Sequence, residues 1–326
     1  MESFPVYPLK FTPILKEKVW GGTKLISHFG KTTDLPNVGE SWELSGVPGN
    51  ISVVANGPLE GKDLNTLLQS YPKEILGDRV YQQHGAVFPL LFKFIDAAQD
   101  LSVQVHPADD YAKQHHDSFG KSEMWFIMQA DEGADLIVDF NAPLSKADYE
   151  SALNNKELAS VLNYHKVSAG DSYFIQPGTI HAICGGVMLA EIQQTSDITY
   201  RVYDWDRPGI DGKMRELHTQ QALDVLNFDA PNDQQLEYSK TENTSNTVCK
   251  SPFFDTRLLP LTEDLTHNLK DADSFVVYMC VSGEATFEVA GNTASLIRGE
   301  TLLIPAAADE IVIKTHGVEL LEVRVP

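Results

Sequence analysis

Short apolar segments bounded by turn residues restrict the fold of this chain more than any other feature. Between residues 88 and 205 they follow one another closely, with glycine, proline, aspartate and asparagine between them. Four of them read PLLFKFIDA, LSVQVHP, SEMWFIMQA and ADLIVDFN. Chains with many short, turn-bounded strands form sandwiches or barrels. The sequence therefore predicts a mainly β protein.

Three segments have helical spacing of their apolar residues instead. They are predicted as helical additions to the strands of the first part of the chain. For the second segment Ser145 is the expected N-cap. The predicted helical segments are residues 58–84, 143–164 and 218–228.

A polar stretch divides the chain. Residues 229–247, DAPNDQQLEYSKTENTSNT, contain almost no large apolar side chains and are typical of a connector. We place a domain boundary there, with a first domain over residues 1–230 and a second over 231–326. The second domain is predicted to consist almost entirely of strands.

Two segments resemble each other internally. VSAGDSYFIQPGTIHAI and SLIRGETLLIPAAADEI share glycine, an acidic residue, a hydroxyl residue, apolar residues and proline in that order. Gly170 aligns with Gly299 and, after a one-residue gap, Pro177 with Pro305. Only the first copy then has a histidine, His181. The pattern indicates a duplicated β-barrel, and chance similarity of strand–turn–strand sequences is the alternative.

The charge balance limits the possible partners. The 326 residues include 25 Lys and Arg and 46 Asp and Glu, a net charge of −21. A nucleic-acid-binding protein needs a basic surface, so this class is not expected. A phosphate ligand would need its own local cluster of cations.

Cysteine content and the start of the sequence indicate a cytoplasmic protein. The three cysteines are widely spaced and form no CxxC pair, as suits a reducing compartment. The first residues lack a signal-peptide pattern. The longest apolar run, residues 86–95, is too short to cross a bilayer and contains Lys93.

Four polar residues are candidate metal ligands. Gln104 and His106 in QVHP are two apart, so on a strand they share a face. Glu123 and His181 also interrupt apolar segments, where a polar group is costly unless paired. Imidazole and carboxylate ligands suit zinc and similar divalent ions.

Each candidate ligand has an ordinary alternative. His106 and His181 could be hydrogen-bonded core histidines, and Glu123 could form a salt bridge. His115 and His116 lie in polar sequence and are expected to be solvated.

A basic group accompanies these residues. Lys93 interrupts an apolar strand, Lys121 precedes Glu123 by two residues, and Arg201 follows in SDITYRVYDWDR. Individually, each is most simply read as a surface residue with a buried stem. Together, on an acidic chain, they indicate a local cationic site.

The motifs LSVQVHPADDYA, KSEMWFIM, QPGTIHAI and EIQQTSDITYRVYDWDR resemble those of the type I mannose-6-phosphate isomerases, in their shorter bacterial form. The resemblance extends with specific motifs from about Pro5 to Trp205. It implies a double-cupin fold, with two antiparallel β-barrels and helical additions around the first. Residues 1–230 then form the catalytic cupin domain, and residues 231–326 a second barrel without metal ligands.

The resemblance further implies one Zn²⁺ per chain, bound by Gln104, His106, Glu123 and His181. Ser122 departs from the family, which commonly has proline there. The implied reaction interconverts mannose 6-phosphate and fructose 6-phosphate by proton transfer between C2 and C1 through an enediol(ate).

The implied catalytic residues are Arg201, as an electrostatic partner of the intermediate, and a general base. Lys121, Glu191 and Asp197 are all candidates for the base, which works best with a pKa near the working pH. Ser102 and Lys93 match positions linked to phosphate binding.

Other functions fit the same sequence. The chain could be a non-catalytic sugar-phosphate sensor, an isomerase of another aldose phosphate, or another cupin enzyme such as an oxygenase, since fold alone does not fix function. A small-molecule sugar phosphate is the expected partner, and the chain is expected to be a monomer or homodimer.

Overall fold

The computed structural model describes residues 3–229 and 234–326, which form 20 β-strands, seven α-helices and two 3₁₀ helices. The strands are β1 (Leu9–Lys10), β2 (Ile14–Gly22), β3 (Val38–Leu44), β4 (Leu90–Ala97), β5 (Val103–Val105), β6 (Glu123–Ala130), β7 (Asp135–Phe140), β8 (Leu162–Lys166), β9 (Ser172–Ile175), β10 (His181–Ile183), β11 (Val187–Gln194), β12 (Tyr200–Tyr203), β13 (Asn246–Lys250), β14 (Asp255–Leu261), β15 (Leu265–Asn268), β16 (Val276–Val289), β17 (Asn292–Ile297), β18 (Thr301–Ile304), β19 (Glu310–Lys314) and β20 (Val318–Arg324). The helices are α1 (Lys24–Ser27), α2 (Leu64–Ser70), α3 (Pro72–Leu76), α4 (Asp78–His84), α5 (Asp109–His116), α6 (Lys146–Asn154) and α7 (Thr219–Val225), with 3₁₀ turns at Gly57–Leu59 and Leu158–Val161.

The strands form three antiparallel sheets, which confirms the predicted mainly β fold. A six-stranded sheet has the order β2-β3-β4-β11-β6-β9, and a five-stranded sheet has the order β12-β5-β10-β7-β8. A nine-stranded sheet contains β13 to β20 together with β1.

The six-stranded sheet is covered on both faces. On β4, Leu90, Phe92 and Phe94 belong to an apolar cluster that also contains residues of β14, β16 and β20. The alternate residues Lys93 and Ile95 face the five-stranded sheet, as the two-residue period of a strand requires. Burial on both sides explains why these strands read as nearly continuous apolar segments.

The five-stranded sheet has one face toward the six-stranded sheet and one under helices. Val103, Val105 and Ala182 pack with Tyr149 of α6 and Leu223 of α7. The residues that alternate with them on β5 and β10 are therefore directed into the space between the two sheets.

The helical predictions were correct in place and partly wrong in length. Residues 58–84 contain α2, α3 and α4, and residues 218–228 contain α7. The Ser145 hydroxyl accepts a hydrogen bond from the Asp148 amide, so the predicted N-cap is confirmed. The prediction of helix over residues 143–164 is wrong beyond Asn154, because the chain there enters a 3₁₀ turn and then edge strand β8.

The nine-stranded sheet draws on both ends of the chain. Leu9 of β1 pairs with Leu303, and Lys10 pairs with Leu302. The expected boundary between residues 230 and 231 lies outside the described residues, so the division into two domains stays a prediction. No helix of the described residues is long and apolar enough to cross a membrane.

The two similar segments share a local conformation. Gly170 and Gly299 both have positive φ, +89° and +83°, which favours glycine because it lacks a Cβ atom. Each glycine is followed, after one acidic residue, by a strand, β9 or β18. The sequence similarity therefore corresponds to the same turn-and-strand unit.

A buried carboxylate stabilises the C-terminal sheet. Glu322 is fully buried, accepts hydrogen bonds from Tyr278 (2.8 Å) and Arg324 (2.6 Å), and lies 3.2 Å from His267 Nδ1. Burial alone would raise the pKa of Glu322, but His267, Arg324 and Tyr278 outweigh it and leave this pKa lowered. The carboxylate thus contributes stability above its unfolded pKa of about 4.3, and loses it as the pH falls through the folded value.

We expect Glu322→Gln to lower stability at pH 7 by about 1–3 kcal/mol, because the buried phenol and guanidinium lose their charged partner. The difference from wild type should shrink below about pH 4. Chemical unfolding at the two pH values measures it, with Glu319→Gln on the same strand as control. A difference that does not change with pH would contradict this role of the carboxylate.

Candidate functional site

A cavity of about 290 Å³ lies between the six-stranded and five-stranded sheets. Eight of the ten functional residues predicted from the sequence line this cavity. These are Lys93, Ser102, Gln104, Lys121, Glu123, Glu191, Asp197 and Arg201. The other two, His106 and His181, are buried and contact Glu123.

Glu123, His106 and His181 form a compact group. The Nε2 atoms of the two histidines are 3.1 Å apart. His106 Nε2 lies 3.5 Å from one oxygen of Glu123, and His181 Nε2 lies 3.4 Å from the other. A tetrahedral ion about 2.0–2.1 Å from each ligand atom would separate the ligand atoms by roughly 3.4 Å. Among the described residues, this is the one group of three His, Cys, Asp or Glu side chains that could bind a metal.

The hydrogen bonds of the two imidazoles direct their Nε2 lone pairs at each other. His106 Nδ1 donates to the Ile198 carbonyl (3.0 Å), and His181 Nδ1 donates to the Thr179 carbonyl (2.8 Å). Burial lowers the pKa of His181 to about 3 and that of His106 well below its usual value, so both rings are neutral. Two facing lone pairs beside a carboxylate are a donor set that fits a divalent metal.

Lys121 is buried beside this group. Its Nζ atom lies 2.9 Å from Glu123 Oε2, 2.9 Å from His106 Nε2 and 3.9 Å from Glu191 Oε1. Burial alone would lower the pKa of Lys121, but the two carboxylates outweigh it and the pKa is raised. In this arrangement Lys121 is a charged ammonium group.

Strand register brings Gln104 to the same place. Gln104 of β5 lies opposite His181 of β10 on one side and Arg201 of β12 on the other. The three residues thus form a row across the five-stranded sheet, and Gln104 and Arg201 also line the cavity.

Glu191 and Lys93 form a second buried pair. Glu191 on β11 is directly opposite Lys93 on β4, and Lys93 Nζ lies 3.5 Å from its carboxylate. Lys93 also donates to Gln193 (2.6 Å). Burial raises the pKa of Glu191 to about 7, while Lys93 and Lys121 oppose the shift.

The remaining predicted residues differ in how deeply their side chains are buried. Ser102 is buried on the cavity wall, two residues before Gln104. Asp197 also lines the cavity but is exposed to solvent, as are His115 and His116 on α5, which were expected to be solvated. Asp197 therefore lies at the cavity mouth.

Sequence reasoning missed Glu40 and Arg215, which also line the cavity. Glu40 accepts a hydrogen bond from Trp42 Nε1 (2.8 Å) and pairs with Lys18 (3.2 Å). Burial would raise the pKa of Glu40, but Lys18 and Lys93 outweigh it and hold it at about 2. Alternation along GESWEL places Glu40 and Trp42 on one face, so the two-residue period was the available signal. Arg215, from a loop, had no such signal.

The unusual Ser122 has a specific contact. Its backbone amide donates to the side-chain oxygen of Gln194 (2.9 Å), a bond that proline, without an N–H, could not make. This hydrogen bond therefore supports the chain next to Glu123, a candidate metal ligand.

Two family models match this chain. One, phosphomannose isomerase type I, catalytic domain, covers residues 9–126. The other, mannose-6-phosphate isomerase, cupin domain, covers residues 244–323. The first contains Gln104, His106, Lys121 and Glu123, and the second lies within the nine-stranded sheet.

Mannose-6-phosphate isomerases from other sources are similar to this chain over almost its whole length. The mannose-6-phosphate isomerase of Streptococcus mutans is 34% identical over 91% of this chain and 92% of its own. ManA of Bacillus subtilis, also a mannose-6-phosphate isomerase, is 33% identical over 95% and 96%. The crystal structure of a mannose 6-phosphate isomerase from Bacillus subtilis is similar with a TM-score of 0.87 and 32% identity, over 97% of this chain and 99% of that chain.

The fold and the site thus define a cupin-type isomerase with a potential metal group. The chain belongs to the type I mannose-6-phosphate isomerase family.

We expect His181→Ala to reduce bound divalent metal at least tenfold, because loss of one ligand from a small set weakens metal binding strongly. Metal analysis of purified protein by mass spectrometry, after dialysis, measures this. His115→Ala is the matched control, since its ring is exposed and outside the group. Full metal retention in folded His181→Ala would contradict the assignment.

Proposed function

We propose that this protein is a Zn²⁺-dependent isomerase that interconverts mannose 6-phosphate and fructose 6-phosphate. The observation that carries the proposal is the adjacency of two groups in one cavity. The His106–Glu123–His181 group is next to a set of buried carboxylate and ammonium groups that includes Lys121 and Glu191.

Gln104, His106, Glu123 and His181 are the proposed zinc ligands. Bound Zn²⁺ supplies Lewis acidity, which favours negative charge on the C1 and C2 oxygens of the sugar. The neutral imidazoles support a metal that binds by lone pairs. The position of Gln104 beside His181 supports its amide oxygen as the fourth ligand.

A general base must move a proton between C2 and C1 through an enediol(ate). Among Lys121, Glu191 and Asp197, we propose Glu191. Its carboxylate is buried in the cavity wall beside two ammonium groups, and its pKa of about 7 suits a base at neutral pH. Lys121 is already paired with Glu123 and Glu191, and Asp197 is exposed to solvent.

Three cavity residues are the proposed partners of the substrate's negative charge. Arg201 is the proposed electrostatic partner of the enediolate, in the same strand row as Gln104. Ser102 and Lys93 are the proposed phosphate contacts, and both line the cavity.

We further propose that the protein functions in the cytoplasm, as a monomer or homodimer. The three cysteines are free and buried, which supports a reducing compartment. The proposed division at residue 230 into two cupin domains agrees with the strand content on either side.

The reaction is tested by a coupled assay of mannose 6-phosphate conversion. We expect activity that is lost on chelation and restored by Zn²⁺ more fully than by Mg²⁺, because nitrogen ligands favour zinc. Fully metallated, folded protein without turnover would overturn the proposal. Tight binding of fructose 6-phosphate in that case would favour the sensor, and turnover of a different aldose phosphate would favour the other isomerase.

The base is tested by Glu191→Gln, which keeps the shape of the side chain. We expect a fall in kcat of about 10²–10⁴-fold, and a parallel loss of deuterium exchange from solvent at C2 of the sugar. Zinc content should stay at the wild-type value.

Asp211→Asn removes a carboxylate from an exposed loop position and serves as control. If Glu191→Gln keeps its exchange rate while Asp197→Asn or Lys121→Met loses it, the role belongs to that other residue.

A further inference from the structure

Two arginines reach the same cavity from one short stretch of chain. Arg201 is on β12, and Arg215 is on the loop that connects β12 to α7. Three hydrogen bonds connect this loop to Arg201. Arg201 Nη1 donates to the Glu216 carbonyl (2.8 Å), and the Arg201 amide donates to His218 Nδ1 (3.1 Å). The His218 amide in turn donates to the Arg201 carbonyl (2.8 Å). The two guanidinium groups are therefore held in one part of the wall.

Asp204 fixes the orientation of Arg215. Its carboxylate is 3% exposed and accepts two hydrogen bonds, from Nε (2.6 Å) and Nη2 (2.5 Å) of Arg215. Arg207, which also bonds the Asp100 carbonyl, lies 3.5 Å from the same carboxylate. Two parallel bonds leave the guanidinium little rotational freedom, and Nη1 remains as a donor.

Arg201 has unused capacity to bind an anion. Within residues 3–229 and 234–326, its buried Nε has no hydrogen-bond partner and no carboxylate lies within 4 Å of its guanidinium. Burial, and then the charge of Arg215, lower the pKa of Arg201, so the two cations are close enough to interact. A bound anion would relieve both the repulsion and the missing hydrogen bond.

The lysines of the cavity have carboxylate partners of their own. Lys18 pairs with Glu40, Lys93 with Glu191, and Lys121 with Glu123. Their charges are largely balanced within the wall. Arg215 shares the Asp204 carboxylate with Arg207, and Arg201 has no carboxylate within 4 Å among the described residues, so positive charge is in excess at this part of the wall, on a chain whose net charge is −21.

We propose that Arg215, oriented by Asp204, joins Ser102 and Lys93 in binding the phosphate group of the sugar phosphate, while the neighbouring Arg201 remains the partner of the enediolate. This rests on the proposed function and adds a residue to the binding of its substrate. A guanidinium fork matches the geometry of phosphate oxygens. The paired aspartate orders the long side chain before the substrate binds, so binding costs less conformational entropy.

The test compares Arg215→Ala with Lys213→Ala, which removes the same charge from an exposed position of the same loop. Steady-state kinetics with mannose 6-phosphate and inhibition by inorganic phosphate are measured on zinc-loaded protein. For Arg215→Ala we expect KM and the phosphate inhibition constant to rise together, by roughly 10- to 100-fold. Metal content should be unchanged, and Lys213→Ala should behave as wild type.

Unchanged KM and phosphate inhibition in folded Arg215→Ala would overturn the inference while leaving the proposed function intact. Equal effects of both substitutions would also overturn it, since they would indicate a general charge effect. If Arg215→Ala fails to fold, Arg215→Lys is measured in the same way, and wild-type constants there would reject the role of the guanidinium fork.

Absence of turnover in the wild type would instead count against the proposed function. Calorimetric titration of inorganic phosphate into wild type and variant would then decide the role of Arg215 separately. Weaker phosphate binding in Arg215→Ala than in Lys213→Ala would support it, and equal binding would reject it.

Discussion

The site depends on one constraint: charged side chains in a sheet that is buried on both faces must neutralise each other's charge. On β4, β6 and β11 one set of alternate residues packs against the C-terminal sheet, so the strand register is fixed by apolar contacts. The opposite set then places Lys93, Glu123 and Glu191 in a single cavity. A buried ion is tolerated only with a partner, and the Lys93–Glu191 and Lys121–Glu123 pairs meet that requirement.

The same balance separates two regions of the cavity. Around Glu123 and Glu191, acidic and basic side chains are nearly equal in number. A small change in the charge of a bound ligand therefore affects several closely spaced charged groups at once. Around Arg201 and Arg215 positive charge is in excess. An anionic sugar derivative would therefore bind in one orientation, because only one end of the cavity favours its negative charge.

How far the sequence predicts this structure depends on the range of the interactions. Two-residue alternation and the polar interruptions located Gln104 and Glu123, because strand geometry is local, whereas Glu191 was named only through the resemblance to the family. The length of the helix after Ser145 was wrong, since edge strand β8 forms only by pairing with β7. Arg215 was missed because its place in the cavity depends on Asp204 and on a loop without periodicity.

The pairing of β1 with β18 has a consequence for the order of synthesis. Leu9 and Lys10 are synthesised long before their partners, Leu303 and Leu302. Strand β1 therefore stays without its β18 partner until that strand has also left the ribosome. Because the two segments are so far apart in sequence, the closure of this contact is a late event in folding during synthesis.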